Sequence, residues 1–557
     1  MNKTFKIVFN KARGALMVAN ELTGSVQKKG TRIVLAAGLV ALSACGTAFA
    51  QDFTHNQAEG NSGYSATATD QTSKTWAAED VLNLNVIGDT TQAYGLLASG
   101  KDHTYTNNGT INANVNQTDN KAKFWKVKGM MADMGGTAIN EGTINVENAY
   151  GMTVGSTKGD GSANTITNNG VINVIGVGVG MEAAPTGSSS TQGTAQAVAT
   201  NNGTIKTSTS AGIGILISGD NGEVVNNGTI DASAGTAVLL HVESTDKTAN
   251  GNSIIFGENS VTNGDLKVSN APKNKKITFK KGSVFNGSII VSSSASGTSL
   301  NADGLTFSNR TGDYGSAIFF GDAHGSVTLT NTVFTNNSVT GSDVYGGAVY
   351  SYGSPFKQVG GVYSGNTAVS TGADVNKNNK NQTGAGGGAL MMKGNANSVL
   401  TDVVFTNNSA VAKKTESTTG GYAYGGALMI DFSSGAATGV ANRTDIEIAV
   451  TKDLTYSGNT VSSDSTAKRF DTYGYHVDSA AAGGFLFLDR GSSANFNIHD
   501  GATLTIGSSV TDDDTDSIAS SIPNPATDMN EGKHALITKT GTGTLLIETV
   551  MNFVSMG

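Results

Sequence analysis

The chain has 557 residues, of which 14% are charged and 38% hydrophobic, with 73 glycines and 5 prolines; this length exceeds one ordinary core, and the mixture suits a repetitive β architecture better than a string of globular enzymes. The formal net charge is −8, but the first 50 residues carry seven Lys and Arg against one Glu, which leaves 29 basic and 43 acidic side chains, or −14, beyond them. Such a surface argues against bulk nucleic-acid binding, and the single cysteine, Cys45, lies in the leader, so the exported part has no disulfide framework or Cys-based zinc site.

Residues 1–50 read as export machinery. An apolar core at 33–42 follows Lys28, Lys29 and Arg32 and precedes Ala48-Phe49-Ala50, a small-residue cleavage signal before Gln51. Ten apolar residues are too few to span a bilayer. Ahead of this core lies the basic, aromatic-containing stretch Met1-Asn2-Lys3-Thr4-Phe5-Lys6-Ile7-Val8-Phe9-Asn10-Lys11-Ala12-Arg13-Gly14-Ala15, then Val18-Ala19-Asn20-Glu21-Leu22. It resembles the extended signal-peptide region of large type V secreted proteins of Gram-negative bacteria. That resemblance implies export across the inner membrane, to the outer-membrane surface or the medium when a translocator is supplied, and otherwise to the periplasm. Leu42-Ser43-Ala44-Cys45 also resembles a lipobox, which would make Cys45 a lipidated N-terminus in place of cleavage after Ala50. Residues 51–80 are a polar leader without sustained alternation.

From 81 to 300 one phrase organises the chain. Asn107-Asn108-Gly109-Thr110-Ile111 recurs as Asn-Asn-Gly-Thr-Ile at 201–205 and 226–230, with the variants Asn140-Glu141-Gly142-Thr143-Ile144 and Asn168-Asn169-Gly170-Val171-Ile172. Its glycines are spaced by 33, 28, 33 and 25 residues, a solenoid period. A second apolar segment follows each copy, so two short strands per unit are expected. The Asn-Gly pair is expected to turn the chain through a left-handed conformation. Ile111, Ile144, Ile172, Ile205 and Ile230 then face inward as the repeat core, while Asn112, Asn145, Asn173, Lys206 and Asp231 face out. Stacked coils would bury the isoleucines in one column and let successive asparagine amides hydrogen-bond in ladders. Independent hairpins in a sandwich would need turns about every 8 to 12 residues. Lys273, Lys275, Lys276, Lys280 and Lys281 form a basic island, either a patch for a charged ligand such as a sulfated glycan or solvated strand edges that discourage edge pairing.

From 301 to 520 the phrase changes. Phe334-Thr335-Asn336-Asn337, Tyr363-Ser364-Gly365-Asn366, Phe405-Thr406-Asn407-Asn408 and Tyr456-Ser457-Gly458-Asn459 alternate with Gly346-Gly347-Ala348-Val349, Gly387-Gly388-Ala389-Leu390, Gly425-Gly426-Ala427-Leu428 and Gly483-Gly484-Phe485-Leu486. Paired glycines allow close approach of coils, and aromatic residues such as Phe334 and Phe405 fill a wider corner of the interior. These tetrapeptides resemble the repeats of chlamydial-type polymorphic outer-membrane proteins and related autotransporter passengers, over about 307–488. The resemblance implies an all-β, parallel and right-handed β-helix solenoid, and many such proteins are adhesins. Phe485 in place of Ala departs from the pattern, which points to a widened coil or a cap. Variable insertions at 370–383, 413–421 and 462–475 are the expected recognition segments.

Asp512-Asp513-Asp514-Thr515-Asp516 lacks the glycine and distal Glu of a calcium loop and reads as a solvated loop. Within 521–557, Leu536-Ile537-Thr538-Lys539-Thr540-Gly541-Thr542-Gly543-Thr544-Leu545-Leu546-Ile547 resembles the Lys-Thr-Gly-x-Gly-Thr-Leu repeat of autotransporter passengers, here truncated. A membrane barrel needs at least about eight amphipathic strands, so the translocator barrel is expected to be absent from this chain.

The seven histidines are scattered without a zinc-ligand spacing, and Gly159-Asp160-Gly161-Ser162 displaces the serine of a Gly-Asp-Ser nucleophile motif. No catalytic, cofactor-binding or metal residue is assigned. The sequence thus points to a non-enzymatic passenger that adheres to host cells, matrix or other bacteria, with a host surface protein or glycan, or a second copy of itself, as partner. A structural stalk or nonfunctional fragment of a larger autotransporter is the alternative, and a β-helix hydrolase ranks third.

Overall fold

The computed structural model describes residues 5–10, 15–20, 52–57, 64–65, 73–87, 93–116, 126–155, 162–183, 196–219, 222–241, 251–269, 273–371, 384–415, 421–431, 444–465, 469–470, 475–477, 480–489, 491–507, 515–523, 535–548 and 551–552. The chain divides into two units, Met1–Phe49 and Ala50–Gly557. In the first, Phe5–Asn10 and Ala15–Asn20 pair antiparallel, with Phe5 opposite Asn20. Cys45, Ala48, Ala50 and Gln51 lie outside the described residues.

The second unit is a parallel β-helix. A typical early coil runs through Thr137–Asn140, Thr143–Glu147 and Tyr150–Val154; the next runs through Asn164–Asn168, Val171–Ile175 and Val179–Ala183. Equivalent strands pair in register, Asn140 opposite Asn168, Ile144 opposite Ile172 and Met152 opposite Met181. The first strand of each coil joins a 15-stranded sheet and the other two a 23-stranded sheet. Three strands per coil, not two, are therefore present. The missing strand carries the phrase's own first asparagine at an inward position, as in Thr137–Asn140, and a polar inward residue hides the alternation that marks a strand.

Ile111, Ile144, Ile172, Ile205 and Ile230 stand opposite one another in succession and are fully buried. Asn112, Asn145 and Asn173 alternate to the outer surface. Because each coil presents only a narrow apolar interior, the column is continuous from coil to coil and no single coil holds a core of its own.

The glycine of the phrase has a different role from the expected one. Glycines 109, 142, 170, 203 and 228 do not adopt positive φ. A Cβ at Gly142 would sit 2.1 Å from the carbonyl oxygen of Gly109, and one at Gly170 would sit 2.0 Å from that of Gly142. The glycine is required by the approach of the preceding coil's backbone, and left-handed geometry plays no part there.

Past residue 300 the sheets run on without a break, since Lys276–Phe279 pairs with Ser299–Asp303, which pairs with Ser326–Thr330. What changes is the cross-section. A later coil has five strands, Ser326–Thr330, Val333–Thr335, Ser338–Gly341, Val344–Tyr345 and Val349–Tyr352. The wider interior is filled by rings: Phe307 on Phe334 at 5.3 Å, Phe334 on Tyr363 at 4.6 Å and Tyr363 on Phe405 at 5.0 Å, all stacked. The third residue of each aromatic tetrapeptide is left-handed, with φ of 54° at Asn336, 66° at Gly365, 55° at Asn407 and 71° at Gly458. That explains why only Asn or Gly occupies it. Phe485 is fully buried and packs on Tyr456 at 4.8 Å, where the Tyr456 ring has turned edge-on to Phe405. Its bulk fills the last aromatic corner.

The stacking constraint gives a contrast that urea unfolding can check. Gly170→Ala drives a methyl into a carbonyl of the neighbouring coil and is expected to lower stability by about 3 kcal/mol or more. Gly501→Ala, whose φ is 75° but whose Cβ would meet nothing within 4 Å, carries only the backbone strain of about 1–2 kcal/mol.

Candidate functional site

The coils are tied by side-chain amides as well as by backbone. Asn107 Nδ2 donates to Asn140 Oδ1 at 2.8 Å, Asn140 to Asn168 at 2.7 Å, Asn168 to Asn201 at 2.8 Å and Asn201 to Asn226 at 2.8 Å, all fully buried. The ladder ends where Asn226 Nδ2 reaches the Thr262 hydroxyl at 3.2 Å. A second ladder on the outer face links Asn83, Asn112, Asn145 and Asn173. In the wider half the fourth residue of the aromatic tetrapeptide takes over: Asn337 donates to Asn366, Asn366 to Asn408 and Asn408 to Asn459, each at 2.9 Å.

This third ladder ends on Asp516. Its Oδ1 accepts from the Asn459 backbone N–H at 2.8 Å and from Asn459 Nδ2 at 3.0 Å, and its Oδ2 from the Gly458 N–H at 2.8 Å. Asp516 is fully buried, so its placement in a solvated acidic loop is corrected; Asp512, Asp513 and Asp514 lie outside the described residues. Burial pushes its carboxyl above the usual range, and hydrogen bonds from Asn459 and Gly458 oppose that shift. A carboxylate suits the end of the ladder because it only accepts, whereas an asparagine there would bring amide hydrogens that need a further acceptor in the coil that follows, which begins at Leu536–Thr540. No sequence signal marks Asp516, since the aromatic residue three places ahead is replaced by Asp513.

The basic island is split by the structure. Lys273, Lys276, Lys280 and Lys281 are exposed, whereas Lys275 is fully buried. Lys275 therefore leaves the proposed charged-ligand patch; it precedes a strand at a coil corner, in the position held by Asn252 one coil before and Thr298 one coil after. Burial lowers its ammonium to about 7, opposed by the Asp322 carboxylate. Asp322 accepts from the Gly297, Thr298 and His324 N–H groups. The lysines do not guard a sheet edge either, because Lys276–Phe279 is paired on both sides.

The three insertions share one corner. Thr367–Thr371 leads to Gly384–Gly386, Ser409–Lys413 to Tyr422–Tyr424, and Thr460–Ser463 onward to Ala481–Ala482, always from the same five-stranded sheet to the same four-stranded sheet. Beside this corner the outer face of the long sheet carries an apolar layer. Met391, Met429 and Phe487 stand in register and are buried from outside by Tyr422, Tyr424, Val477 and Ala480. Toward the earlier coils the same column continues as Tyr350 and Phe319, which are partly exposed. Tyr345 and Tyr424 directly precede Gly-Gly-Ala phrases, a recurrence legible in sequence but not marked by the inward-facing pattern.

Among the described residues no three His, Cys, Asp or Glu are grouped to hold a metal. Of the Gly-Asp-Gly-Ser stretch, 159–161 lie outside the described residues.

Residues 1–50 match the family model described as the Extended Signal Peptide of Type V secretion system. Over 269 residues the chain is 30% identical to a Probable autotransporter, YfaL, of Escherichia coli (strain K12), which covers 46% of this chain and 18% of that relative. The chain thus spans less than a fifth of the relative's length. No solved structure matches the chain significantly.

Two measurements check these placements. Asp516→Ala leaves Asn459 and Gly458 donors without an acceptor and is expected to destabilise the last coils by about 1–3 kcal/mol, read as new protease cleavage near 459. Lys275 binds a proton in the unfolded chain, but not in the folded one, between about pH 7 and its ordinary 10.5. Stability is therefore expected to rise with pH across that window, and Lys275→Met flattens the rise in urea midpoints measured from pH 7 to 10.

Proposed function

We propose that this type V secretion autotransporter passenger acts in attachment, to host cells, to matrix or to other bacteria, once it is displayed on or released from the outer membrane. The extended signal peptide directs export across the inner membrane; the destination beyond it is part of the proposal. The observation that carries the reading is the single corner from which the insertions at 370–383, 413–421 and 462–475 depart, next to a partly exposed aromatic layer. A stack of coils that offers many small contacts along one corner gains affinity through multivalency and needs no deep pocket.

The partner is a host surface protein or glycan, or a second copy of the chain. In this reading the passenger works by contact and needs no catalysis; the buried asparagine amides of the wider half are committed to coil-to-coil hydrogen bonds. The competing reading of a plain stalk draws on the regular Asn, Thr and Ser surface of the first half, where successive outer asparagines bond to one another.

Beads coated with the purified chain are expected to bind cultured cells or immobilised matrix proteins, or to clump with one another, several-fold above uncoated beads. No gain on any of these surfaces would sink the attachment reading and leave the stalk. Trypsin shaving of intact cells checks display separately, since a passenger at the surface is lost without lysis.

A further inference from the structure

Where no described residue covers the outer apolar layer, it leaves a cleft of about 280 Å³ lined by Tyr314, Phe319, Tyr345, Tyr350, Met391 and Lys393. The rings are ordered by the coils beneath them. Phe319 and Tyr350 are register partners and stack at 5.4 Å, Tyr314 lies nearly parallel to Tyr345 at 6.3 Å, and Tyr314 meets Tyr350 edge-on at 6.0 Å. Tyr314 is 39% exposed. Ring faces carry negative quadrupole potential and attract cations.

Carboxylates outnumber cations around the rings. Burial raises the Tyr314 phenol, with Asp343 and Asp313 adding to the shift, and burial raises Tyr350 further, with Asp431 the leading carboxylate. The one cation in the lining, Lys393, is paired with Asp431 at 3.1 Å, which leaves Asp313 and Asp343 without an ion pair among the described residues. The volume falls just below the roughly 300–1,000 Å³ of small-molecule sites, so the cleft has room for one extended side chain.

We propose that this cleft receives a cationic side chain, an arginine or lysine, from a basic segment of the partner protein, seated on the Tyr314 and Tyr350 rings beside the Asp313 and Asp343 carboxylates. The proposal rests on the attachment reading and names the chemistry of its partner. An anionic aromatic cleft on a surface of net charge −14 rejects acidic segments and sulfated glycans.

The test titrates the purified full chain with a short arginine-containing peptide and with the same peptide carrying citrulline, an uncharged analogue, and follows tyrosine fluorescence and calorimetry. The arginine peptide is expected to bind at least about ten-fold more tightly at low salt, with the difference shrinking as salt rises. Tyr314→Ala is expected to weaken binding about three- to five-fold and Tyr314→Phe to restore it; Asp343→Asn weakens it in a salt-dependent way. Circular dichroism identical to the wild type shows that the exposed Tyr314 can be removed without unfolding. Equal binding of the citrulline peptide, indifference to Tyr314→Ala, or preference for neutral oligosaccharides or phosphatidylcholine vesicles would overturn the proposal. Loss of peptide binding with bead attachment intact removes only the cleft; peptide binding without bead attachment removes only the attachment reading.

Discussion

Everything in the β-helix depends on parallel, in-register stacking of one coil on the next. The backbone ladder alone would permit a slip, but a slip of one residue would carry Ile144 and Ile172 to the outer face and Asn140 and Asn168 out of their amide bonds. The isoleucine column and the buried asparagine ladder therefore fix the same register by independent means, one apolar and one polar. An amide inside the ladder is worth burying because the neighbours on both sides complete it, as at Asn140, Asn168 and Asn201, since a half-satisfied network in a dry interior costs more than an apolar one. Glycine is the third element of this agreement: it lets the turns of successive coils touch at distances that no Cβ tolerates.

Much of this was legible in the residues. The period of the phrase, the inward isoleucines and the aromatic corner followed from spacing and alternation, because those features repeat and physics acts on the repeat. Three matters were not legible, each for a physical reason. The additional strand in each coil has asparagine at an inward position, so hydrophobic periodicity fails to register it. Lys275 reads as surface charge in a lysine-rich stretch, yet the corner geometry places it inside and beside Asp322. Asp516 closes a ladder whose other members lie 57 and more residues away, and its role is defined by where the series stops.

The outward face of the wider half was harder still to read, because it follows no strict repeat. Inward positions answer to a common interior, whereas Met391, Met429 and Phe487 are covered by whatever the insertion corner supplies in each coil. Function in a solenoid is written in such departures. The coils from 318 onward are nearly uniform inside, while outside them the apolar layer runs from buried at Phe487 to partly exposed at Phe319.

The ladders also make the coils interchangeable parts. Asn140, Asn168 and Asn201 each present the same donor to the coil after and the same acceptor to the coil before, so excision or duplication of one whole coil joins surfaces that already fit. Recombination between repeats can lengthen or shorten the molecule in unit steps while point changes inside a coil are resisted. Only the members that end a series, Thr262 and Asp516, cannot be shuffled in this way, because each faces a coil that lacks the next amide.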